Sequence, residues 1–288
     1  MKYLIENTNP RQHGRSELLK KMKKEKTKSA RILEIEDQLR SEIGISDVSL
    51  SGMAEDTAKV IADTLIMLSK SFQSPLGSIV YKTEFSSHRV AYVDQYHGKR
   101  IVFLNKYYAD SPIKHNHTTV RVTAAHEYAH TIIFLEANSQ SASPSRIAFR
   151  KEMIDIHARY LSQINDARLK MCRILKKEDL QHEKDRKNIY KKSIYCLYRI
   201  AKDLKNQGLL KGEREFTEIL QYLKTFIISW NDPTLGKNID EFFACAFAKN
   251  YDSSVSKLSP FAREVLAVTK KYFGINEQEE IWQYLECS

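Results

Sequence analysis

The stretch "AAHEYAHTII", residues 124–133, constrains the fold of this chain more than any other feature. Its small and apolar residues predict a buried helix, yet it carries two histidines and a glutamate. Polar groups on a buried helix need partners, because an unpaired buried charge is costly. Any fold of the chain must therefore supply partners for His126, Glu127 and His130.

A metal ion is one such partner. Residues four apart lie one above the other on a helix, so His126 and His130 can direct two imidazole nitrogens at one ion. Glu127 points about 100° away around the axis, where its carboxylate can take a proton from water beside the metal. Zinc with an open fourth position lowers the pKa of bound water towards neutrality. The spacing predicts a Zn²⁺ site with Glu127 as catalytic base. The alternative is a core helix with two ordinary histidines.

Zinc needs a third protein ligand, and Glu136 is the first candidate. It stands ten residues after His126, where metzincins place their third ligand. Metzincins reach that ligand by turning the chain at a glycine seven residues after the first histidine, and that position is Ile133 here. On a continuing helix Glu136 points about 280° from His126. We therefore reject Glu136.

The second candidate lies on a helix predicted for "NIDEFFACAFAKN", residues 238–250. Asn238 is the expected N-cap. Glu241 lies above a strip of small residues, which would let two helices pack closely: Ala244, Cys245 and Ala248. The alternative is a carboxylate that interacts with the helix dipole, a role that Asp240 already suits. We favour Glu241 as the third ligand.

"HEYAH", followed at long range by "DEFFACAF", resembles gluzincin metallopeptidases related to anthrax toxin lethal factor, and similar domains of phage head-associated proteins. The resemblance covers roughly residues 43–136 and 235–273. The HExxH motif is specific for zinc peptidases, whereas the EFFA helix is only moderately so.

The resemblance implies that His126, His130 and Glu241 bind zinc and that Glu127 is the base. It also implies that "RIVFLN", residues 100–105, is a strand near the cleft, where an extended peptide could add as a further strand.

Two positions depart from the family pattern. The tyrosine seven residues before the third ligand, which is thought to assist the oxyanion, is Thr234 here, and the thermolysin-type aspartate four residues after the ligand is Cys245. The oxyanion-stabilising residue is therefore unassigned. The candidates are Tyr222, Tyr251, His115 and His117.

The rest of the chain predicts long helices around a small β-rich region. The chain has only nine glycines and six prolines, the residues that most often form turns and end helices. Helical periodicity covers 16–43, 53–72, 146–176, 180–206, 213–230, 259–273 and 277–285, and three β-rich runs lie within 78–108. We expect an α+β, mostly helical, zincin-like fold with a small twisted sheet over the HExxH helix and a large helical insertion. The expected domains are an N-terminal helical segment (1–75), a catalytic domain (76–136 and 237–288) and the insertion (137–236), which would flank the cleft.

The net charge and the cysteines indicate which partners and which cellular compartment to expect. The net charge of +10 could attract an acidic or nucleic-acid partner through basic helices, but acidic residues interrupt nearly every basic run, which favours solvated helix faces. The four cysteines form no CxxC pair, which fits a reducing compartment. We see neither a signal peptide nor a transmembrane run, so we expect no membrane partner and a cytoplasmic location, or a virion-associated one if the chain is phage-encoded.

These features predict a zinc-dependent metalloendopeptidase with a protein or peptide substrate. The alternative is a phage or mobile-element structural or binding protein on a zincin scaffold, associated with nucleic acid through its basic helices.

Overall fold

The computed structural model describes residues 29–73, 76–82, 90–94, 100–104, 117–133, 144–177, 193–208, 210, 213–228, 238–253 and 258–275. Within these residues the chain forms eight helices and four strands. The helices are α1 (Ala30–Ile43), α2 (Glu55–Ser71), α3 (His117–Ile133), α4 (Pro144–Lys177), α5 (Ile194–Asn206), α6 (Glu213–Phe226), α7 (Ile239–Lys249) and α8 (Pro260–Phe273). The strands are β1 (Asp47–Ser49), β2 (Ser78–Lys82), β3 (Ala91–Asp94) and β4 (Arg100–Leu104). The predicted α+β, mostly helical class is confirmed.

Helix ends follow local sequence signals. The Ser29 hydroxyl accepts a hydrogen bond from the Ile32 amide and caps α1, and Gly44 ends that helix in the left-handed conformation, with φ of 77°. Residues 16–28 of the predicted stretch 16–43, residues 180–192 of the stretch 180–206 and all of 277–285 lie outside the described residues. The helices observed in the first two stretches begin only at Ala30 and Ile194, after N-caps at Ser29 and Ser193. The other described helices agree with the predicted periodicity to within a few residues at their ends.

The sheet is mixed, with strand order β1-β2-β4-β3. β1, β2 and β4 are parallel, while β3 is antiparallel to β4, with Val93 opposite Ile101. β3 and β4 belong to the last two of the three predicted β-rich runs. Residues 100–104 of "RIVFLN" form a strand, as expected, but β4 is paired on both sides, so an extended peptide cannot add beside it as a further strand. Among the described strands, the open edge on that side of the sheet belongs to β3.

The HExxH helix, α3, lies at the centre of the packing. It packs against α2, against α7 and against strand β3. Tyr128, fully buried within the motif, donates its hydroxyl to the carbonyl oxygens of Leu68 (3.2 Å) and Phe72 (3.1 Å) at the end of α2. These two bonds hold α3 against α2, both in its position along the helix axis and in its rotation about that axis.

The helices of the predicted insertion pack on the helix that carries Glu241. On α4, the Phe149 ring lies 5.6 Å from that of Phe243, and the Tyr160 ring lies 5.1 Å from that of Phe242. α4 also contacts α5, α6 and α8. One hydrophobic cluster includes residues from α1 to α8, so the predicted insertion shares its core with the rest of the described chain.

Several basic side chains of α4, α6 and α8 form ion pairs at the surface. Arg159 pairs with Glu264, Arg214 with Glu218, and Lys271 with Glu152. Such pairing supports the interpretation as solvated helix faces. Over the described part of the chain, no helix combines the length and the apolar character needed to cross a membrane.

We expect Tyr128→Phe to lower the free energy of unfolding by about 1–2 kcal/mol, because a buried carbonyl group loses a donor while the ring stays packed. Chemical denaturation of the purified protein measures this change. Tyr222→Phe is the matched control, since its hydroxyl bonds to Gln163 at a position where Tyr222 is 39% exposed. Equal stability losses in the two variants would contradict the role given to Tyr128.

Candidate metal centre

The first turn of α7 presents Glu241. The Asn238 side-chain oxygen accepts hydrogen bonds from the amides of Asp240 (2.9 Å) and Glu241 (3.2 Å), so the predicted N-cap is confirmed. The cap sets where the helix begins and therefore which side chain stands one turn before Cys245. It also places the Glu241 carboxylate at the positive end of the helix dipole.

Small side chains let α3 and α7 approach closely. Ala125 and Ala129 on α3 are fully buried, as is Ala244 on α7, and Ala248 is 1% exposed. The two helices pack along much of their length. Polar side chains that are more than a hundred residues apart in sequence therefore meet across this contact.

Three donor groups converge there. His126 Nε2 lies 3.1 Å from His130 Nε2. The Glu241 carboxylate faces both rings, with Oε1 3.4 Å from His126 Nε2 and Oε2 3.4 Å from His130 Nε2. The structure thus brings together the three residues that the sequence predicts as metal ligands. We call His126, His130 and Glu241 the donor triad.

These separations suit a tetrahedral zinc ion. Bonds of about 2.0–2.1 Å at tetrahedral angles place neighbouring ligand atoms roughly 3.3–3.4 Å apart. The side chains of His126, His130 and Glu241 keep 19%, 13% and 30% of their exposure, so solvent reaches the group. Two imidazoles and one carboxylate are also the donor set of many catalytic zinc sites. The residues therefore fit the metal.

The electrostatics favour the forms that bind metals. Burial, together with the neighbouring His130, lowers the pKa of His126 to about 4, so this imidazole is neutral at pH 7. A hydrogen bond from His130 is the main cause that holds the pKa of the Glu241 carboxyl below its usual value, so that group is ionised. Neutral imidazole and ionised carboxylate are the states that coordinate zinc.

Glu127 lies beside this group rather than within it. It is buried, with 6% exposure, although it stands next to a half-exposed stripe of the helix. Its charge contributes to raising the pKa of the Cys245 thiol, which agrees with a carboxylate near the contact between α3 and α7.

Two other carboxylates, Glu136 and Asp240, compete with Glu241 as the third ligand. Glu136 lies outside the described residues. Asp240 is half-buried, and its backbone amide takes part in the N-cap. The group of possible metal donors among the described side chains consists of His126, Glu241 and Cys245, with His130 beside them.

The candidates for oxyanion stabilisation are placed away from the triad or lie beyond the described side chains. Tyr222 bonds to Gln163 and lines a cleft of about 480 Å³ between α4 and α6, whose lining includes no residue of the triad. Tyr251 is buried against Phe247, and burial raises the pKa of its hydroxyl. His115 and the side chain of His117 lie outside the described residues.

Two side chains have surroundings that the sequence did not predict. His157 lies half-buried, with its ring 4.7 Å from that of Phe242. Cys245, expected only to be small, contacts two of the three donors of the triad. The sequence did contain a sign of this contact: Cys245 stands four residues after Glu241, and residues four apart share a helix face.

Comparisons with protein-family models, with curated proteins and with solved structures find no match to this chain. Function therefore has to be inferred from the geometry and chemistry of the residues themselves.

We expect Glu241→Ala to weaken zinc binding at least about 100-fold, because a three-donor site loses its only charged donor. Competition with a chromogenic chelator measures the dissociation constant. Asp240→Ala is the matched control one residue away, and Glu136→Ala tests the rejected candidate; both should stay within a few-fold of wild type. A large loss of affinity in either control, with Glu241→Ala unaffected, would overturn the assignment.

The Cys245 thiol should react slowly. Burial and the charge of Glu241 raise its pKa to about 12, so the reactive thiolate is scarce at pH 8. In the metal-free protein we expect iodoacetamide to modify the exposed Cys196 well before Cys245, as followed by peptide mass spectrometry. Modification of both thiols at the same rate would contradict this environment.

Proposed function

We propose that this protein is a zinc-dependent metalloendopeptidase of the gluzincin type. One observation carries the proposal: two imidazole nitrogens and a carboxylate meet at separations of 3.1, 3.4 and 3.4 Å, which suit tetrahedral zinc. In this proposal His126, His130 and Glu241 hold the metal. When bound, zinc would act as a Lewis acid towards a peptide carbonyl and would acidify water.

Glu127 is the proposed general base. Its carboxylate takes a proton from the attacking water, then passes that proton to the amine that leaves when the peptide bond breaks. Its position one residue after His126 turns it about 100° from the ligand face, so it can do this without occupying the donor triad.

Strand β3 is the proposed guide for the substrate. Within the described part of the chain it is an edge strand, and it contacts α3, which carries both histidines. The outer backbone amides and carbonyls of an edge strand can bind an extended peptide as an additional strand. A peptide held along Ala91–Val93 would run beside the HExxH helix.

Solvent access favours a catalytic over a structural metal site. Structural zinc sites are closed by four protein ligands, whereas catalytic sites keep one position open. Here the triad contributes three donors, and Glu241 keeps 30% of its side-chain exposure. A site of this kind can admit both water and a substrate carbonyl.

The proposal predicts about one zinc per chain in the purified protein, measured by elemental analysis. Glu127→Gln should retain that zinc and lower peptide hydrolysis at least about 100-fold, because the amide cannot accept the proton. Cleavage of a peptide library, read by mass spectrometry, provides the activity measurement.

His126→Ala is the companion variant, and it should lose both zinc and activity. Hydrolysis at the wild-type rate in Glu127→Gln would sink the mechanism. A wild-type protein that binds zinc and cleaves no peptide would instead support the binding-protein alternative.

A further inference from the structure

Cys245 stands one turn after Glu241 on α7 and faces the same group of side chains. Its sulfur lies 3.8 Å from His126 Nδ1 and 3.9 Å from Glu241 Oε1. Both distances lie within the longer range of hydrogen bonds that involve sulfur. One side chain therefore touches two of the three proposed zinc ligands.

The sulfur contacts the far side of the His126 ring. Nε2 faces His130 and Glu241, whereas Nδ1, the nitrogen that Cys245 contacts, lies across the imidazole. Distance alone places Cys245 among the possible metal donors. Its contact with Nδ1 favours a different place, beside a ligand, for a metal held by the Nε2 atoms and the carboxylate.

The chemistry of a thiol suits that place. A thiol offers one S–H donor and a weak acceptor on the same atom, and a neutral imidazole carries its proton on one nitrogen only. If the S–H donates to Glu241 Oε1, the sulfur accepts from Nδ1–H of His126. The proton on Nδ1 then leaves the lone pair of Nε2 directed at His130 and Glu241.

We propose that Cys245 is a positioning residue of the metal site, whose sulfur accepts a hydrogen bond from His126 Nδ1–H and holds this imidazole in the tautomer that can bind zinc through Nε2. The proposal rests on the proposed zinc-binding function. Partners of this kind, which bond to the outer nitrogen of a ligating histidine, fix its tautomer and orientation. The competing explanation is that Cys245 is only a small residue that permits close helix packing, like Ala244 and Ala248.

The tautomer can be measured directly on the full-length, metal-free, wild-type protein. Long-range ¹H–¹⁵N correlation spectra at pH 8, assigned with His126→Gln, distinguish a protonated Nδ1 from a protonated Nε2. We expect the Nδ1–H form for His126. The Nε2–H form would overturn the proposal, and this measurement needs no variant of Cys245.

Zinc affinity provides the second readout. Cys245→Ala, which keeps a small side chain and removes the acceptor, should raise the dissociation constant for zinc roughly 10- to 100-fold. Cys245→Ser, which keeps a donor and an acceptor, should stay within a few-fold of wild type. Cys196→Ala, at an exposed position on α5, is the matched control and should change nothing.

The outcomes separate the explanations. Equal zinc affinity in wild type and in Cys245→Ala would show a packing role alone and overturn the proposal. A sulfur-to-cobalt charge-transfer band in the cobalt-substituted wild type, lost in Cys245→Ser, would make Cys245 a direct ligand and also overturn it. Failure of the wild type to bind zinc would contradict the proposed function. The tautomer measurement would still test whether His126 Nδ1–H donates to the Cys245 sulfur.

Discussion

The close packing of α3 against α7 is the contact on which the rest of the candidate site depends. Both helices bury mainly apolar side chains, and the polar side chains at their contact would be costly to bury separately. Fully buried alanines, among them Ala129 and Ala244, let the backbones approach, so the polar groups become partners of one another. A bulky residue at either position would separate the helices and leave those groups without their present partners.

A second layer of hydrogen bonds holds the two helices in place. Tyr128 joins α3 to the end of α2. At the other side, the buried Asn250 amide donates to the carbonyl oxygens of Ala246 and Phe247 on its own helix and to that of Ala262 on α8, at 2.9 Å. α7 is thereby tied to α8 at its C-terminal end, opposite the end that carries Glu241. The frame leaves little freedom for the donors to move apart.

The candidate site is also where the structure departs from what stability alone would favour. Two imidazole nitrogens 3.1 Å apart on a mostly buried helix can share only one proton, and burial disfavours charge on His126. An apolar pair would fill the same volume without this constraint. Local conflicts of this kind concentrate at functional sites, which agrees with a role for these side chains beyond packing.

Helix–helix docking and strand pairing differ in how far local sequence specifies them. The N-cap at Asn238 and the ligand face shared by His126 and His130 follow from spacings of a few residues, so both could be predicted. The order of the strands could not, because the continuous apolar run in "RIVFLN" fits a strand at an edge as well as one between two partners. Its place inside the sheet is decided by the pairing of β4 with β2, a strand that precedes β3 in the chain.

The sequence by itself determined most of the helical periods, the cap of α7 and the spacing of the two histidines with their glutamate, and it favoured Glu241 among the carboxylates. These depend on geometry within a single helix or on one strip of small residues. Only the tertiary structure decided that the Glu241 carboxylate meets both rings, that β3 forms the open edge, and that Cys245 lies behind His126. Each of these is a contact between elements that are distant in the chain, and such contacts are set by how the whole core packs.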